Sequence, residues 1–537
     1  MNVYTIGVIG FFILFMGIGK FAGSRIRGTD DYYVSGRNAP TFVIVGTLVA
    51  CYASTVAFLG ESGFSYNGYP VLLLILMIFN VLGYTLGGLF FGRFLRRSAC
   101  YTLPEYFGSR FASRKVRKAT GWITVLGIGA YLVAVTQGAA MLLTELLRLD
   151  YKFCLPIVSL LSTLFTFYSG SRGVLMVNTV KFLIIMIIAA IGGCYIMNIS
   201  GGWSEAIGRL ALMEAKPGLM SWHGVISGPL AQWQTPFSAL AWAVSMGITW
   251  AAVVAVGPWE ASLYLMAKNE HVTIRASMCV PIFLLMFYFL LQFSAAGINL
   301  INPDLKPPER AYIWAAFNVM PAWMGILLLG GIMTVALSAC STFLNLVGLS
   351  FTRDILGQEQ PDARTLKLSR FIMLGVGLTA LIICFLQPPA IMWIGYFAAS
   401  IFGASWGPVA FLSVWSKRVT EDGALWGVIG GAFMVVAGQS LIKFGGVSFP
   451  PFLQPSILGL LTSAGLTWFV SLKGTASPKA IAFHQALHAD PPADTADPKL
   501  LAGTLRLARL VIGVGVLMSL VVLYFYARPY LAAVGAN

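Results

Sequence analysis

Two interruptions in otherwise continuous apolar stretches constrain this chain more than any other feature. The first is the run from Gly60 to Pro70, GESGFSYNGYP, which sets Glu61, Ser62, Gly63, Ser65 and Asn67 inside the second long apolar stretch. The second is the pair Gly257-Pro258, near the end of another such stretch. In hydrocarbon an unpaired backbone N–H or C=O costs several kcal/mol, so a spanning segment stays helical throughout. A crossing that breaks with polar residues must line water or a bound solute. Breaks at matching places in two halves of a chain point to the binding site of a secondary transporter.

Composition excludes a soluble fold. The 537 residues are 58% apolar and 10% charged, against about 25% charged in soluble domains. A net charge of +15 would suggest nucleic acid in a soluble protein. Here Lys and Arg cluster in short loops between apolar runs, where they report orientation, so no nucleic-acid partner is expected and membrane lipid is the surrounding medium. The seven cysteines lie in or beside apolar runs without CxxC or His-paired spacing, and read as small buried residues. The N-terminal apolar stretch lacks a basic leader and reads as an uncleaved first span.

Windows of about 20 apolar residues, enough to cross about 30 Å of hydrocarbon, give about fourteen helices. They fall near 3–22, 40–66, 70–95, 119–146, 153–170, 174–199 and 236–260. The rest fall near 277–301, 322–350, 368–386, 390–415, 424–443, 455–472 and 508–527. The basic loops 20–38, 93–118, 353–370 and 416–422 lie on one side if the N-terminus is outside, which makes that side cytoplasmic and both termini extracytoplasmic. Trp203, Trp222 and Trp233 in the outer loop 200–235 suit an interfacial belt or a lid. Residues 474–507, rich in Ala, Asp and Pro, read as a flexible cytoplasmic linker to which a regulatory partner would bind. His484 and His488 are four apart there, but without a third ligand they make a weak metal pair.

Five stretches carry a resemblance. DDYYVSGRNAP (30–40), YTLPEYFGSRF (101–111), FYSGSRGVLMVNTVKF (167–182), LSACSTFLNLVGLSFTRDIL (337–356) and GASWGPVAFLSVWSKRVTEDGALWGVIGG (403–431) occur in order at helix-length spacing. Together they resemble the sodium:solute symporter family over roughly 25–440. The resemblance implies an all-α membrane fold with a five-plus-five inverted repeat, 40–199 and 236–415, whose first helices are discontinuous. Around it stand the segment 1–39, the outer loop 200–235, accessory helices in 416–473, the linker 474–507 and a last helix and tail in 508–537. Half-helix ends at the breaks would offer dipole charge and free carbonyls to a solute and an ion near the midplane.

Within the family, 52–70, 131–151 and the Gly257-Pro258 pair look most like the acetate and monocarboxylate permeases. Where sugar carriers of the family have Asn, Glu, Gln and Tyr, this chain has Ala53, Val56, Ala57 and Val253. These offer no side-chain hydrogen bonds, so a sugar is not expected. The family's sodium site implies carbonyls of Ala50, Ala53 and Val335 with the hydroxyl of Ser338. The next position, usually Ser or Thr, is Ala339, and the family's nearby Asp is Thr179. Two residues on, Lys181 reads in two ways: a cation inside the membrane that stands in for sodium, or a surface-seeking residue at a helix end. Sodium is the favoured coupling ion and a proton the alternative.

Solute-site candidates are Tyr52, Ser54, Thr55 and Glu61 at the first break, and Gln137 in the fourth span. Trp242, Ser245, Thr249 and Trp250 surround Gly247 in the seventh, and Asn345 lies in the ninth. Ser and Thr in membrane helices often bond only their own preceding turn, and Trp more often packs than binds. Gln137 and Asn345 stand apart, because a mid-membrane amide must face a partner. No Arg appears mid-span, so an anion would rely on helix N-termini and hydroxyls.

The function expected is cation-coupled uptake of a small organic solute, with a monocarboxylate as the class in view. The alternatives are proton-coupled carriage of an amino acid or similar solute, and a transporter-like sensor subunit. No Ser/His/Asp set, HExxH or P-loop appears, so neither an enzyme nor an ATP-driven pump is expected, nor any cofactor beyond the coupling ion.

Overall fold

The computed structural model describes residues 3–23, 34–168, 171–358, 363–386, 390–489 and 496–535. Among these, regular structure is helical apart from one isolated parallel bridge, Ala39 to Ala267. The first half holds α1 (Val3–Gly23), α2 (Thr41–Tyr52), α3 (Val56–Tyr66), α4 (Pro70–Arg97), α5 (Leu103–Arg110) and α6 (Arg114–Leu147). It continues with α7 (Tyr151–Tyr168), α8 (Ser171–Ile199) and α9 (Trp203–Ala211). Then come α10 (Pro236–Val256), α11 (Pro258–Met266), α12 (Glu270–Gly297), α13 (Ala311–Asn318), α14 (Ala322–Ile355) and α15 (Ala363–Leu386). The last are α16 (Ile391–Trp415), α17 (Glu421–Gly445), α18 (Pro455–Ser471), α19 (Pro478–His488) and α20 (Pro498–Val534).

Among the described residues ten helices are long and apolar enough to cross a membrane, and the bent pair α2 and α3 is long and apolar enough to count as an eleventh if it is one span. Shorter apolar helices, Val3–Ile18, Tyr151–Leu164 and Pro455–Ser471, stand at three of the remaining expected spans. Described residues of the basic loops 93–118 and 353–370 meet at one end. There Arg97 pairs with Glu270 at 2.8 Å, Arg117 with Asp354 at 3.1 Å and Arg353 with Glu105 at 3.1 Å.

Helix α4 packs on α10 at close range. A Cβ on Gly83 would sit 2.2 Å from the carbonyl oxygen of Ala251, and one on Gly87 would sit 2.6 Å from the Cα of Ala255. Small residues at such crossings let backbones touch where lipid offers no hydrophobic drive to associate.

The first break does not fall on the polar run 60–70. Backbone unwinds at Ala53 and Ser54, where α2 and α3 meet at 54°. Ser54 Oγ accepts from Val56 N at 3.2 Å and so starts α3 in the manner of a cap. The polar residues beyond it remain helical because other helices satisfy them. Glu61 accepts hydroxyl hydrogens from Tyr288 and Tyr396, Ser65 donates to Gln292 Oε1 at 2.7 Å, and Ser62 donates to Phe58 O. The exit turn follows at Asn67-Gly68, with Gly68 at φ +121°.

The second break is where the sequence places it. Gly257 leaves helical geometry at φ −55°, ψ 139°, and Pro258 opens α11 at its first position, where a missing N–H costs nothing. A side chain at 257 would meet Val253 O at 2.7 Å.

The linker expectation needs correction. Within 474–507, Ser477 caps a helix, α19, whose Ala480, His484 and Leu487 are buried. His484 and His488 do not form a metal pair: each Nε2 meets the carbonyl of Val414, at 2.7 and 2.8 Å. A carbonyl only accepts, so both nitrogens carry hydrogen. Arg97 caps the other end of α19, donating to Leu487 O and Ala489 O at 3.1 and 3.2 Å.

Burial, and after it the Arg110 charge, push His484 down to about 4. A depressed value means docking is intact above about 6.5, the ordinary value, and is lost as pH falls toward 4. Amide exchange across Pro478–His488, corrected for intrinsic rate, should therefore be several-fold faster at pH 5 than at pH 7.5. His484→Gln, which keeps a donor for Val414, should remove that difference. Equal protection at both pH values in the native chain would contradict this account.

Candidate functional site

A cavity of about 130 Å³ opens from the side of the basic loops between α2, α11 and α14, room for several waters at ~10–15 Å³ each. Its mouth is lined by Tyr101, Thr102, Asp354 and Thr365, and its depth by Cys51, Pro258, Trp259 and Asn345. Trp259 stands among Tyr131, Phe343 and Phe402, with ring centroids 5.4, 5.9 and 5.4 Å away. Among the described residues no Lys or Arg lines the cavity. The cavity therefore reaches both interrupted helices: Cys51 lies on α2 two residues before the unwound Ala53, and Pro258 opens α11.

The outer side is closed by stacked aromatics. Phe64 stacks on Tyr69 at 4.5 Å, Tyr69 meets Trp233 at 5.4 Å, and Trp233 meets Trp242 at 4.7 Å. Trp393 closes the group, 5.8 Å from Trp242. The Tyr69 hydroxyl lies 2.8 Å from Val225 O and 2.9 Å from Leu230 O, and accepts from Gln232 N at 2.8 Å, which pins the outer loop over the plug. Lys216 in that loop donates to Tyr66 O at 2.9 Å and Asn299 Oδ1 at 2.6 Å, a cation at the C-terminus of α3. Burial lowers Lys216 to about 8. Trp233 thus acts as part of a lid, while Trp203 stacks on Phe289 at 5.4 Å and Trp222 is exposed.

The ion candidates divide. Ala50, Ala53, Val335, Ser338 and Ala339 are all buried, the first two flanking the unwound segment and the others within two turns on α14. Thr179 bonds Leu175 O in its own helix at 2.8 Å. Lys181 does not reach the surface: it is 2% exposed, and its Nζ is 3.1 Å from Ser338 Oγ.

Of the ten solute candidates, Asn345 alone lies on the cavity wall. The others are engaged elsewhere. Tyr52 accepts from Asn80, and its ring packs 5.7 Å from Trp250. Ser54 caps α3, Thr55 is buried against Gly138, and Glu61 is held by two tyrosines. Gln137 Oε1 accepts from Ala390 N at 3.2 Å, at the start of α16. Trp242 belongs to the outer plug. Ser245 reaches Pro451 O at 2.9 Å and Thr249 reaches Ser456 Oγ at 3.0 Å, so both tie α10 to the α18 region. Trp250 packs on Tyr396 at 5.1 Å.

The model of the sodium:solute symporter family matches residues 32–431. The chain belongs to that family. Among its relatives is the sodium/pantothenate symporter of Escherichia coli K12, 24% identical over 467 residues, covering 84% of this chain and 94% of that one. The sodium/pantothenate symporter of Haemophilus influenzae is 25% identical, covering 74% of this chain and 81% of that one. Among solved structures, a sodium-coupled sialic acid symporter in a substrate-bound outward-open state matches at TM-score 0.70 and 17% identity, over 89% of this chain and 99% of that one. A nucleobase-cation-symport-1 family transporter in a closed conformation matches at TM-score 0.52 and 11% identity, over 86% and 99%. These two show a shared fold. As a member of a transporter family with many apolar helices, the chain is a multi-pass inner-membrane protein and not an enzyme.

Sequence reasoning passed over two features of this symporter-family site. Glu260, wholly buried three residues after the second break, accepts from Tyr84 at 2.8 Å, and its Oε2 has no hydrogen-bond partner. Its signal was present: a carboxylate inside an apolar stretch, beside a Gly-Pro pair. The outer plug had no such signal, since its aromatics come from four separate segments.

Tyr69→Phe removes the hydroxyl that pins the loop. Losing about 1 kcal/mol of buried hydrogen bonding should speed amide exchange across 225–233 about fivefold. Unchanged exchange would mean that something else holds the lid.

Proposed function

We propose that this chain takes up a small organic solute together with a cation by alternating access. The observation that carries the reading is one cavity touching both interrupted helices while aromatics seal its far side. An inward-facing carrier has that arrangement: a path from the cytoplasm to the midplane and a closed outer gate. The pairing of 40–199 with 236–415 as inverted repeats is part of this proposal, supported by the position of a break in the first long helix of each.

The solute class we favour is a monocarboxylate with an apolar body. The wall supplies aliphatic and aromatic surface from Leu263, Leu346 and Trp259, with polar groups from Asn345, Thr342, Ser262 and Thr124 and further hydroxyls toward the basic loops. A carboxylate would meet the N-terminal end of α11, which carries the positive end of the helix dipole. Pantothenate, carried by the two curated relatives, is itself a monocarboxylate. Sodium is the favoured coupling ion by kinship, and Ala50, Ala53, Val335 and Ser338 are the oxygen-bearing residues at the position of the family's cation seat.

Proteoliposomes holding the purified chain should accumulate a short monocarboxylate or pantothenate under an inward sodium gradient, and leave sugars outside. Asn345→Ala should raise KM about fivefold, the worth of about 1 kcal/mol from one lost hydrogen bond, with thermal stability unchanged. No uptake of any tested carboxylate, amino acid or nucleoside would refute the transport reading. Unchanged kinetics in Asn345→Ala would place the solute elsewhere.

A further inference from the structure

The first break releases several carbonyls, those of Ala50 and Ala53 among them. Ser54 N–H turns to Tyr52 O at 2.8 Å, and Ala57 N–H to Ser54 O at 3.1 Å. In a continuous helix those donors would serve Ala50 O and Ala53 O, four residues back. Alongside this segment runs a chain of side chains from two other helices. Lys181 Nζ donates to Ser338 Oγ at 3.1 Å, and Ser338 passes its own hydrogen to Asn178 Oδ1 at 3.0 Å. Asn178 Nδ2 then reaches Cys51 Sγ at 3.5 Å, between Ala50 and Ala53 in sequence.

Lys181 reaches this segment through Ser338 and Asn178, and Ser338 Oγ is the one hydrogen-bond partner of its Nζ among the described residues. It is 2% exposed, and among the described residues no carboxylate lies within ion-pair distance of it. A buried ammonium is costly unless its three N–H groups find acceptors. Hydroxyl and backbone carbonyl oxygens are such acceptors, and they are also the groups that replace the water shell of a small monovalent ion.

We propose that Lys181 is a tethered cation: its ammonium fills the seat beside Ala50, Ala53 and Ser338, so that seat takes no free sodium in the native chain. The proposal rests on the seat described under the proposed function and refines it. If sodium drives uptake, it acts from another site.

The test uses the purified full chain and sodium ion alone as probe. Sodium chloride is titrated against choline chloride at constant ionic strength, with Tm and tryptophan fluorescence as readouts. Any sodium response of the native chain should be unaltered by Ser338→Ala. Lys181→Ala, and the same change with Ala339→Ser, should gain a saturable, sodium-specific rise in Tm of several degrees, as expected when an ion binds only the folded state. If the alanine variants fail to fold, Lys181→Gln takes their place in the same titration. A saturable sodium effect in the native chain that Ser338→Ala abolishes would overturn the proposal, because sodium would already occupy the seat. Folded Lys181 variants indifferent to sodium would overturn it too, since the place would be no cation seat. The uptake assay is read separately: absence of transport refutes the carrier reading and leaves the sodium titration to judge the seat.

Discussion

An unpaired backbone group in hydrocarbon costs several kcal/mol, and that single constraint organises this molecule. Helix α2 stops at Tyr52 and α3 starts at Val56, so groups that a helix would pair are set free in the membrane interior. Such a segment survives only where other protein surrounds it. Here α8 supplies Asn178 and Lys181, α14 supplies Ser338, and α6 brings Gly138 against Thr55. The second interruption meets the same demand more simply, since Pro258 has no N–H to lose and Gly257 leaves room for Val253 O.

The polar residues divide the labour between holding and handling. Glu61, Ser65, Gln137, Ser245 and Thr249 all form bonds between helices, and each bond joins segments distant in the chain. Together they brace the broken crossings without facing the cavity. The cavity wall carries a different set, with Asn345, Thr342, Ser262 and Thr124 among aliphatic and aromatic surface and Thr352, Asp354 and Thr365 nearer the basic loops. A carrier needs a pathway its cargo can leave, and neutral hydroxyl and amide groups hold a solute weakly enough for release.

Sequence reasoning was sound wherever the signal was local. Apolar windows located the ten long apolar helices among the described residues, and Gly257-Pro258 marked a real interruption. It failed where partners lie far apart in the chain. Residues 61–65 looked like a break because Tyr288, Tyr396 and Gln292, which satisfy them, are more than two hundred positions away. The true break at Ala53-Ser54 lacks any strong breaker residue. Ser245 and Thr249 read as solute ligands, but their hydroxyls bond the preceding turn and the α18 region. Lys181 could have gone either way, since helix-end lysines commonly reach water; burial against Ser338 decided it. In α19 the composition suggested a linker, although Ser477-Pro478 and the spacing of Ala480, His484 and Leu487 were a legible helix start and buried face.

The central claim is a shared inner chamber touching both interruptions, open toward the cytoplasm and shut outside. Native Cys51 is a free thiol on its wall. In a variant that keeps Cys51 and replaces the other six cysteines by Ala, a membrane-impermeant maleimide should label inside-out vesicles and leave right-side-out vesicles unlabelled. Labelling from the outer face alone, or from neither face under conditions that label the denatured chain, would contradict the account.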